Sequence, residues 1–550
     1  MTAAPRSPRG ADALAATLIA AGVRRVFTLS GNHIMPVFDA ALGASIDLIH
    51  VRHEAAAVHM ADAWARLTGE VGVALVTGGP GHANAVSALY TAAMAESPVV
   101  LLSGHAPNGQ RGMGAFQEMR QADVAAPLCK ASGTVASPAD LVGDLAKAIR
   151  TARAARPGPV HLSLPQDVLD PPAASASVPG TKDFVAPVQS LDAAPAEALL
   201  AVLRAAKRPL IISGPAACTA TGRTRAAQLE HATGIPVVGT ESPRGVADPA
   251  LGAFAEVLSQ ADAVLLLGKR LDFTLRFGKA PAFDAACVFA QCDAEAAEID
   301  RTRRAVGARL RAHAVADWAP AVDALVAAAT GSSEGDAGWC RSVREAVAYR
   351  PAEWRSATSK HPGRVHPAQA LLPLQAILDE SPDSVLVSDG GEIGQWAQAC
   401  LSAPNRVVNG MAGSIGAGLP FALAARLAKP KAPVLAVMGD GTFGFHPAEV
   451  DTAVRHGLPF VCVVGNDERW NAEYQIQLRD YGPERLVGCE LLPTRYDQVA
   501  TAFGGHGELV TRAEELLPAA RRAIASGKPA VLNVMVEGLA APNIRRPTGT

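Results

Sequence analysis

Short apolar runs alternate with longer amphipathic stretches along most of this chain. Val26–Leu29, Leu48–Val51 and Val73–Val76 read as buried strands. Ala11–Ala21, Ile34–Leu42 and Ala55–Leu67, which lie around them, carry apolar positions at helical spacing. Pro157–Pro165 reads as the strand that closes this first unit. Further strands are expected at Pro209–Ser213, Pro236–Val238, Ala263–Leu267 and Cys287–Gln291, and again at Ser384–Ser388. Ile393–Leu401 is a helix, followed by the glycine-rich Asn409–Pro420. Near the C-terminal end stands the clearest unit: a strand at Val434–Met438, a tight turn at Gly439-Asp440-Gly441, a helix over Pro447–His456 and a strand at Phe460–Val464.

Strands alternating with helices predict an α/β protein of doubly wound parallel sheets. Three such domains are expected, over residues 10–172, 188–330 and 360–540. Pro171–Pro187, rich in Pro, Ala and Ser, and the low-apolar Gly331–Gly338 read as linkers.

Composition removes several classes of function. The 550 residues are 49% hydrophobic and 19% charged, with a net charge of −2, which argues against disorder and against a basic nucleic-acid surface. The eight cysteines are scattered with no C-x-x-C, so a reducing cytoplasm is expected rather than a disulfide framework. MTAAPRSPRG at the start has no apolar segment of a signal peptide, and no run approaches the ~20 apolar residues of a membrane span.

In parallel sheets, ligand-facing residues collect just past the strand C-termini. His33, Glu54, Gly79, His82 and Gln117 fall there in the first domain. In the third, two parallel strands joined by a helix bring Asp440 and Asp467 to one sheet edge. Two oxygen ligands so placed suit Mg²⁺, which keeps open positions for phosphate oxygens.

Three motifs then stand in order. Arg52-His53-Glu54 precedes an Ala-rich helix, Gly413-Ser414-Ile415-Gly416 precedes Gly418-Leu419-Pro420, and Gly439-Asp440-Gly441 precedes Asn466-Asp467. Together they resemble the thiamine diphosphate (ThDP) enzymes of the acetolactate synthase-like superfamily. IMPVFDA at 34–40 and AFQE at 115–118 resemble acetolactate synthase. LGKRLDFTLRFG at 267–278 and the stretch 443–459 are more similar to oxalyl-CoA decarboxylase and 2-hydroxyacyl-CoA lyase. The Gly-Asn-His at 31–33 puts a histidine where benzaldehyde lyase has one.

The resemblance implies a pyrimidine-binding, a central and a diphosphate-binding domain, and a role for each motif. Glu54 is implied as the acid on the cofactor's N1′ nitrogen. Gly413 presents a carbonyl to the 4′-amino group, and Ile415 is the wedge under the cofactor's bend. Gly79, Gly391, Glu392, Gly439, Gly441 and Thr442 are implied beside the cofactor. Asp440, Asp467 and the Arg469 carbonyl are implied as Mg²⁺ ligands; the family usually has Asn where Asp467 stands, so Asn466 is the alternative. His33 and Gln117 are implied to handle the substrate, with His82 a further candidate. Trp470, Asn471, Glu473 and Tyr474 are possible pocket residues, and Asp293 a possible ribose ligand.

The implied activity is a carboligase, decarboxylase or C–C lyase acting on 2-oxo acids or related carbonyl compounds. The alternatives are a 2-hydroxyacyl-CoA lyase and, from another class, a non-catalytic ThDP-binding regulatory protein. FAD is a possible further cofactor, and ADP or CoA a possible ligand of the central domain. A homodimer or dimer of dimers is implied, with a small-molecule substrate and neither nucleic acid nor membrane as partner.

Overall fold

The structure is a computed structural model that describes residues 8–172, 178–329 and 337–547. Parts of the two expected linkers, 173–177 and 331–336, lie outside the described residues.

Three parallel sheets carry the fold, in agreement with the α/β expectation. The first contains β1 (Arg25–Thr28), β2 (Asp47–His50), β3 (Gly72–Val76), β4 (Val99–His105), β5 (Ala131–Thr134) and β6 (Val160–Pro165), in the order β2-β1-β3-β4-β6-β5. The second contains β7 (Pro209–Ser213), β8 (Val237–Gly239), β9 (Ala263–Leu267), β10 (Val288–Asp293) and β11 (Leu310–Val315), ordered β11-β10-β9-β7-β8. The third contains β12 (Val385–Asp389), β13 (Asn405–Val408), β14 (Val434–Gly439), β15 (Val461–Asn466), β16 (His506–Val510) and β17 (Ala530–Met535), ordered β13-β12-β14-β15-β17-β16. The first and third sheets therefore share one strand order.

Uninterrupted apolar strands follow from burial on both faces. In β9, Val264 and Leu266 join one core cluster with Leu210 and Ile212. Ala263, Leu265 and Leu267 join another with Ile211. Burying a leucine stabilises by about 1.5–3 kcal/mol, so each face of this strand is a substantial anchor.

One sequence expectation is refined here and one corrected. The strand at Val160–Pro165 is the last of the first sheet in chain order but not its edge; the short, half-exposed β5 lies outside it. Gly439-Asp440-Gly441 is not a tight turn. Gly439 ends β14, and Asp440–Phe443 continues as one helical turn.

The chain up to Pro187 forms one compact unit with Leu419–Pro430 and His446–Leu458. Val188–Gly418, Lys431–Phe445 and the chain from Pro459 form the other. In the first unit, the fully buried Glu449 accepts the Arg52 N–H (3.1 Å) and the Thr452 hydroxyl (2.6 Å). That pins the turn leading into Glu54.

Candidate active site

The candidate residues of the first unit gather where β1 and β3 run side by side, the point at which strand order reverses. Glu54 opens the helix Glu54–Thr68, where His53 caps by accepting the Ala55 N–H at 3.1 Å. Glu54 is 8% exposed, and its carboxyl accepts the Asn84 amide at 3.0 Å. Asn84, on the helix Pro80–Met94, had no signal in the sequence beyond its helical position.

Thr77, just past β3, binds this group together. Its hydroxyl lies 3.2 Å from His33 Nδ1. A Cβ on Gly31 would come within 2.3 Å of the Thr77 Cβ, and one on Gly81 within 2.7 Å of its methyl. His33 is 1% exposed and stacks on Phe116, with centroids 6.0 Å apart and planes at 14°. Burial lowers its pKa, so the ring is neutral near pH 7 and can accept a proton.

Gln117 has φ +57°, and its backbone lies against Gly79, where a Cβ would meet the Gln117 carbonyl at 2.7 Å. Gln121, absent from the sequence expectations, holds the same turn. It accepts the Gly79 N–H at 2.8 Å and donates to Gly104 O at 3.1 Å and Ser163 Oγ at 3.0 Å. His82 is fully enclosed, with Nδ1 2.9 Å from Ser103 Oγ and its ring 4.5 Å from that of His161. Burial drops its pKa to about 4.

In the second unit, Gly439 of β14 pairs with Gly465 of β15, so Asp440 and Asp467 leave neighbouring strand tips. Both are enclosed, at 1% and 8% exposure. Burial pushes the Asp440 carboxyl up to about 6, against the N–H groups of Gly441 and Arg469. Burial pushes Asp467 higher, to about 8, and the adjacent Asp440 charge adds to it. Two buried carboxyls that each resist ionisation fit a cation between them. Asn466 is committed elsewhere: its amide donates to Thr494 O and Asn533 Oδ1, both at 3.1 Å, and accepts the Glu468 N–H.

A cavity of 280 Å³ lies here. Gly391, Glu392, Gly413 and Ile415 line it, as do the Gly439–Thr442 turn, Asp467 and Arg469. Trp470, Asn471 and Glu473 also face it, whereas the Tyr474 ring carries the Arg469 guanidinium at 4.2 Å. Three buried acceptors on its wall have no hydrogen-bond partner among the described residues: Asp440 Oδ2, Asn409 Oδ1 and Gln395 Oε1. Buried polar groups are normally paired, so this wall fits a ligand that brings positive charge and donors. No group of three His, Cys, Asp or Glu residues could hold a metal among the described residues. Two carboxylates and a carbonyl nonetheless suffice for a Mg²⁺ that shares phosphate oxygens.

Asp389, another residue the sequence reading missed, shapes the glycine-rich loop. It accepts the N–H groups of Gly390 (2.6 Å), Gly416 (3.0 Å) and Gly418 (2.6 Å). Gly416 has φ +100°, and a Cβ there would strike the Phe445 ring at 2.6 Å. On the opposite side Arg244 reaches Glu392 at 3.2 Å.

Comparison with known proteins resolves the family. The model of the "Thiamine pyrophosphate enzyme, N-terminal TPP binding domain" matches residues 8–124, the central-domain model 196–325 and the C-terminal TPP-binding model 389–534. The chain belongs to the thiamine pyrophosphate enzymes. A probable acetolactate synthase of Mycobacterium bovis is 33% identical, covering 98% of this chain and 97% of its own. The 2-hydroxyacyl-CoA lyase 2 of Homo sapiens is 31% identical over 96% of this chain and 90% of its own, and that of Danio rerio 30% identical over 96% and 92%. In this thiamine pyrophosphate enzyme, the N-terminal match covers the Glu54 group and the C-terminal match the Asp440 group.

The central sheet reverses its strand order between β7 and β9. The Trp318 side chain occupies that crevice. Its indole N–H donates to Ser213 Oγ at 2.7 Å, and a Cβ on Gly268 would lie 3.0 Å from the ring. Asp293 is fully buried and accepts the Glu295 N–H at 3.0 Å, as a turn-capping residue does. No helix among the described residues is long and apolar enough to cross a membrane.

Proposed function

We propose that this protein is a Mg²⁺- and ThDP-dependent enzyme that makes or breaks a C–C bond next to a carbonyl, as an acetolactate synthase-type carboligase or decarboxylase of 2-oxo acids. The observation that carries the reading is the wall of unpartnered acceptors beside the Asp440–Asp467 pair. Bound there, ThDP supplies a nucleophilic carbon that adds to a carbonyl and holds the electron pair of the broken bond.

The chain's own residues then have defined tasks. Asp440, Asp467 and the Arg469 carbonyl hold Mg²⁺; Asn466 is less suited, its amide being committed within the fold. Gly390–Glu392 and Gly441–Thr442 cradle the diphosphate. Gly413 offers its carbonyl and Ile415 its bulk to the cofactor's bend. Glu54 shares a proton with a ring nitrogen from a nearly water-free setting. His33, neutral and half facing Phe116, takes up or returns a proton at the substrate oxygen, and Gln117 donates a hydrogen bond to a carbonyl or carboxylate. Holding these groups against one carbon is catalysis by positioning.

The site joins two subunits in this reading, the Glu54 group from one and the Asp440 group from the other, so the active unit is a homodimer or a dimer of dimers. The enzyme acts in the cytoplasm. FAD has less support as a cofactor, because Trp318 fills the central crevice. A second reading, 2-hydroxyacyl-CoA lyase, is favoured by the name of the human relative.

The test is reconstitution with ThDP and Mg²⁺, followed by a screen of 2-oxo acids, aldehydes and 2-hydroxyacyl-CoA thioesters with products read by mass. Carbon–carbon bond chemistry that needs both additives supports the proposal. Failure to bind ThDP, or turnover indifferent to it, overturns it.

A further inference from the structure

Residues 116–121 form a short strap that touches both side chains handling the substrate in the proposed function. Phe116 stacks on His33, and its backbone hydrogen-bonds the ring. Gln117 follows in the left-handed region, at φ +57°, where a glutamine rarely sits. Its carbonyl and Cβ press on Gly79, where an added Cβ would meet them at 2.7 and 2.8 Å. A backbone so strained persists only where its surroundings fix it.

The fixing contact stands at the end of the strap. Gln121 is 1% exposed, and its one amide spans three neighbouring strands of the first sheet, β3, β4 and β6. Its Oε1 accepts the N–H of Gly79, just past β3, at 2.8 Å. Its Nε2 donates to Gly104 O of β4 at 3.1 Å and to Ser163 Oγ of β6 at 3.0 Å. The Gly79 N–H and the Gly104 carbonyl leave the amide one orientation. Gly104 in turn backs His33: a Cβ on Gly104 would lie 2.5 Å from the His33 Cβ. Gln117 therefore rests on one backbone that the amide holds, and His33 on the other. No other side chain of this length offers one acceptor and two donors without charge. A carboxylate would set lone pairs against Gly104 O, and an apolar chain would release both glycines.

We infer that Gln121 is a positioning residue for the reaction: its amide locks Gly79 to Gly104 and thereby sets the spacing between Gln117 and His33 at the substrate. The inference rests on the ThDP-dependent reading, in which those two side chains meet the substrate.

The experiment compares wild type, Gln121→Met and Ser163→Ala, each loaded with ThDP and Mg²⁺, on the substrate found in the screen. kcat and KM are measured per cofactor-loaded site, and deuterium exchange at the reacting carbon of ThDP is measured without substrate. Gln121→Met should lower kcat by about 10²-fold, the loss expected when a reacting group shifts by about 1 Å. KM and the exchange rate should stay within about threefold of wild type, because Glu54 keeps its Asn84 contact and the loss falls on the bound substrate's turnover. Ser163→Ala removes one acceptor of the amide and leaves both glycine contacts, so kcat should fall a few-fold in the same direction. If Gln121→Met does not take up ThDP, Ser163→Ala decides alone. A merely structural amide would lower the melting temperature and leave kcat per loaded site untouched; wild-type kcat in the deciding variant, or a loss carried by KM or by the exchange rate, overturns the inference. Wild-type turnover that needs ThDP, with variants that match it, removes only this inference. Absence of ThDP-dependent turnover in the wild-type chain removes the functional reading with it.

Discussion

Asp440 and Asp467 leave the tips of two parallel strands paired at Gly439 and Gly465, and burial lifts both carboxyls, Asp467 the further of the two. An oxygen pair in that state is held apart from its preferred charge until a cation arrives. Asp440 also has an oxygen without a hydrogen-bond partner among the described residues, so it has the more to lose. Asp440→Asn is expected to weaken Mg²⁺-supported ThDP binding by tenfold or more. Asp467→Asn keeps an oxygen ligand and removes a like charge, so it should weaken binding less and raise the melting temperature of the metal-free protein. Titration of ThDP at fixed Mg²⁺, with a thermal melt of each apo variant, checks both; equal losses would contradict the assignment.

Glu54→Gln preserves size and the contact with Asn84 but cannot share a proton. Activity on any substrate found should fall by about 10²–10⁴-fold, with ThDP still bound and the circular dichroism unchanged. Residual activity near wild type would remove Glu54 from the mechanism.

Mixing two impaired variants, at ThDP too dilute to fill the Asp440→Asn site, tests the shared site. If Glu54 and Asp440 serve one cofactor from different subunits, dimers formed from Glu54→Gln and Asp440→Asn chains contain one site with both defects and one with neither. Activity should return on refolding or subunit exchange. No recovery, with mixed dimers shown to form, would place both groups in one subunit.

Asp389 holds three backbone N–H groups around the Gly413–Gly418 loop from a fully buried position. Asp389→Ala leaves those donors unsatisfied and should cost about 2–4 kcal/mol of stability in denaturant melts. A cost below about 1 kcal/mol would show that the loop is held by other contacts.

Acid should destabilise the first compact unit through its buried histidines. Burial drops His82 to about 4 and His59 to about 3. Both folded values lie below the unfolded value of about 6.5, so the unfolded chain takes up protons first as pH falls. Their contribution is complete above about pH 6.5 and is lost as pH falls toward the folded values, by up to about 1.4 kcal/mol per pH unit for each group. His82→Gln should flatten the slope of stability against pH between about 6 and 4. An unchanged slope would assign the acid sensitivity to other groups.

Much of this was legible in the sequence because the decisive strands are inner ones. Runs such as Ala263–Leu267 and Val434–Met438 are apolar throughout, since both faces are covered, and their ends announce the ligand side. The exceptions are the inner β4 (Val99–His105), apolar and buried yet not expected, and several edge strands. β5 (ASGT), β11 (LRAHAV) and β16 (HGELV) are largely half-exposed and mix polar residues with apolar ones, so no run marks them. β17 (AVLNVM) is interrupted by Asn533, whose amide meets Asn466 across the sheet. Site residues divide in the same way. Asp440 and Glu54 stand in local motifs, while Thr77, Asn84, Gln121 and Asp389 act through neighbours distant in the chain. Nothing local distinguishes those four from ordinary polar residues. Trp318 is the reverse case: an unremarked aromatic that closes a crevice the topology would otherwise leave open.

The common strand order of the first and third sheets has a bearing on how such an enzyme changes. Each reverses its strand order at the flank of its first strand, along the same backbone path. What differs is the few side chains at the tips: Thr77, His33 and Glu54 on one side, Asp389, Asp440 and Asp467 on the other. In the proposed function one wiring diagram is thus fitted with two chemistries, one for a heterocycle and one for a phosphate-bound ion. Altering what either sheet end accepts is therefore a matter of rewriting loop tips, with the layers beneath left in place.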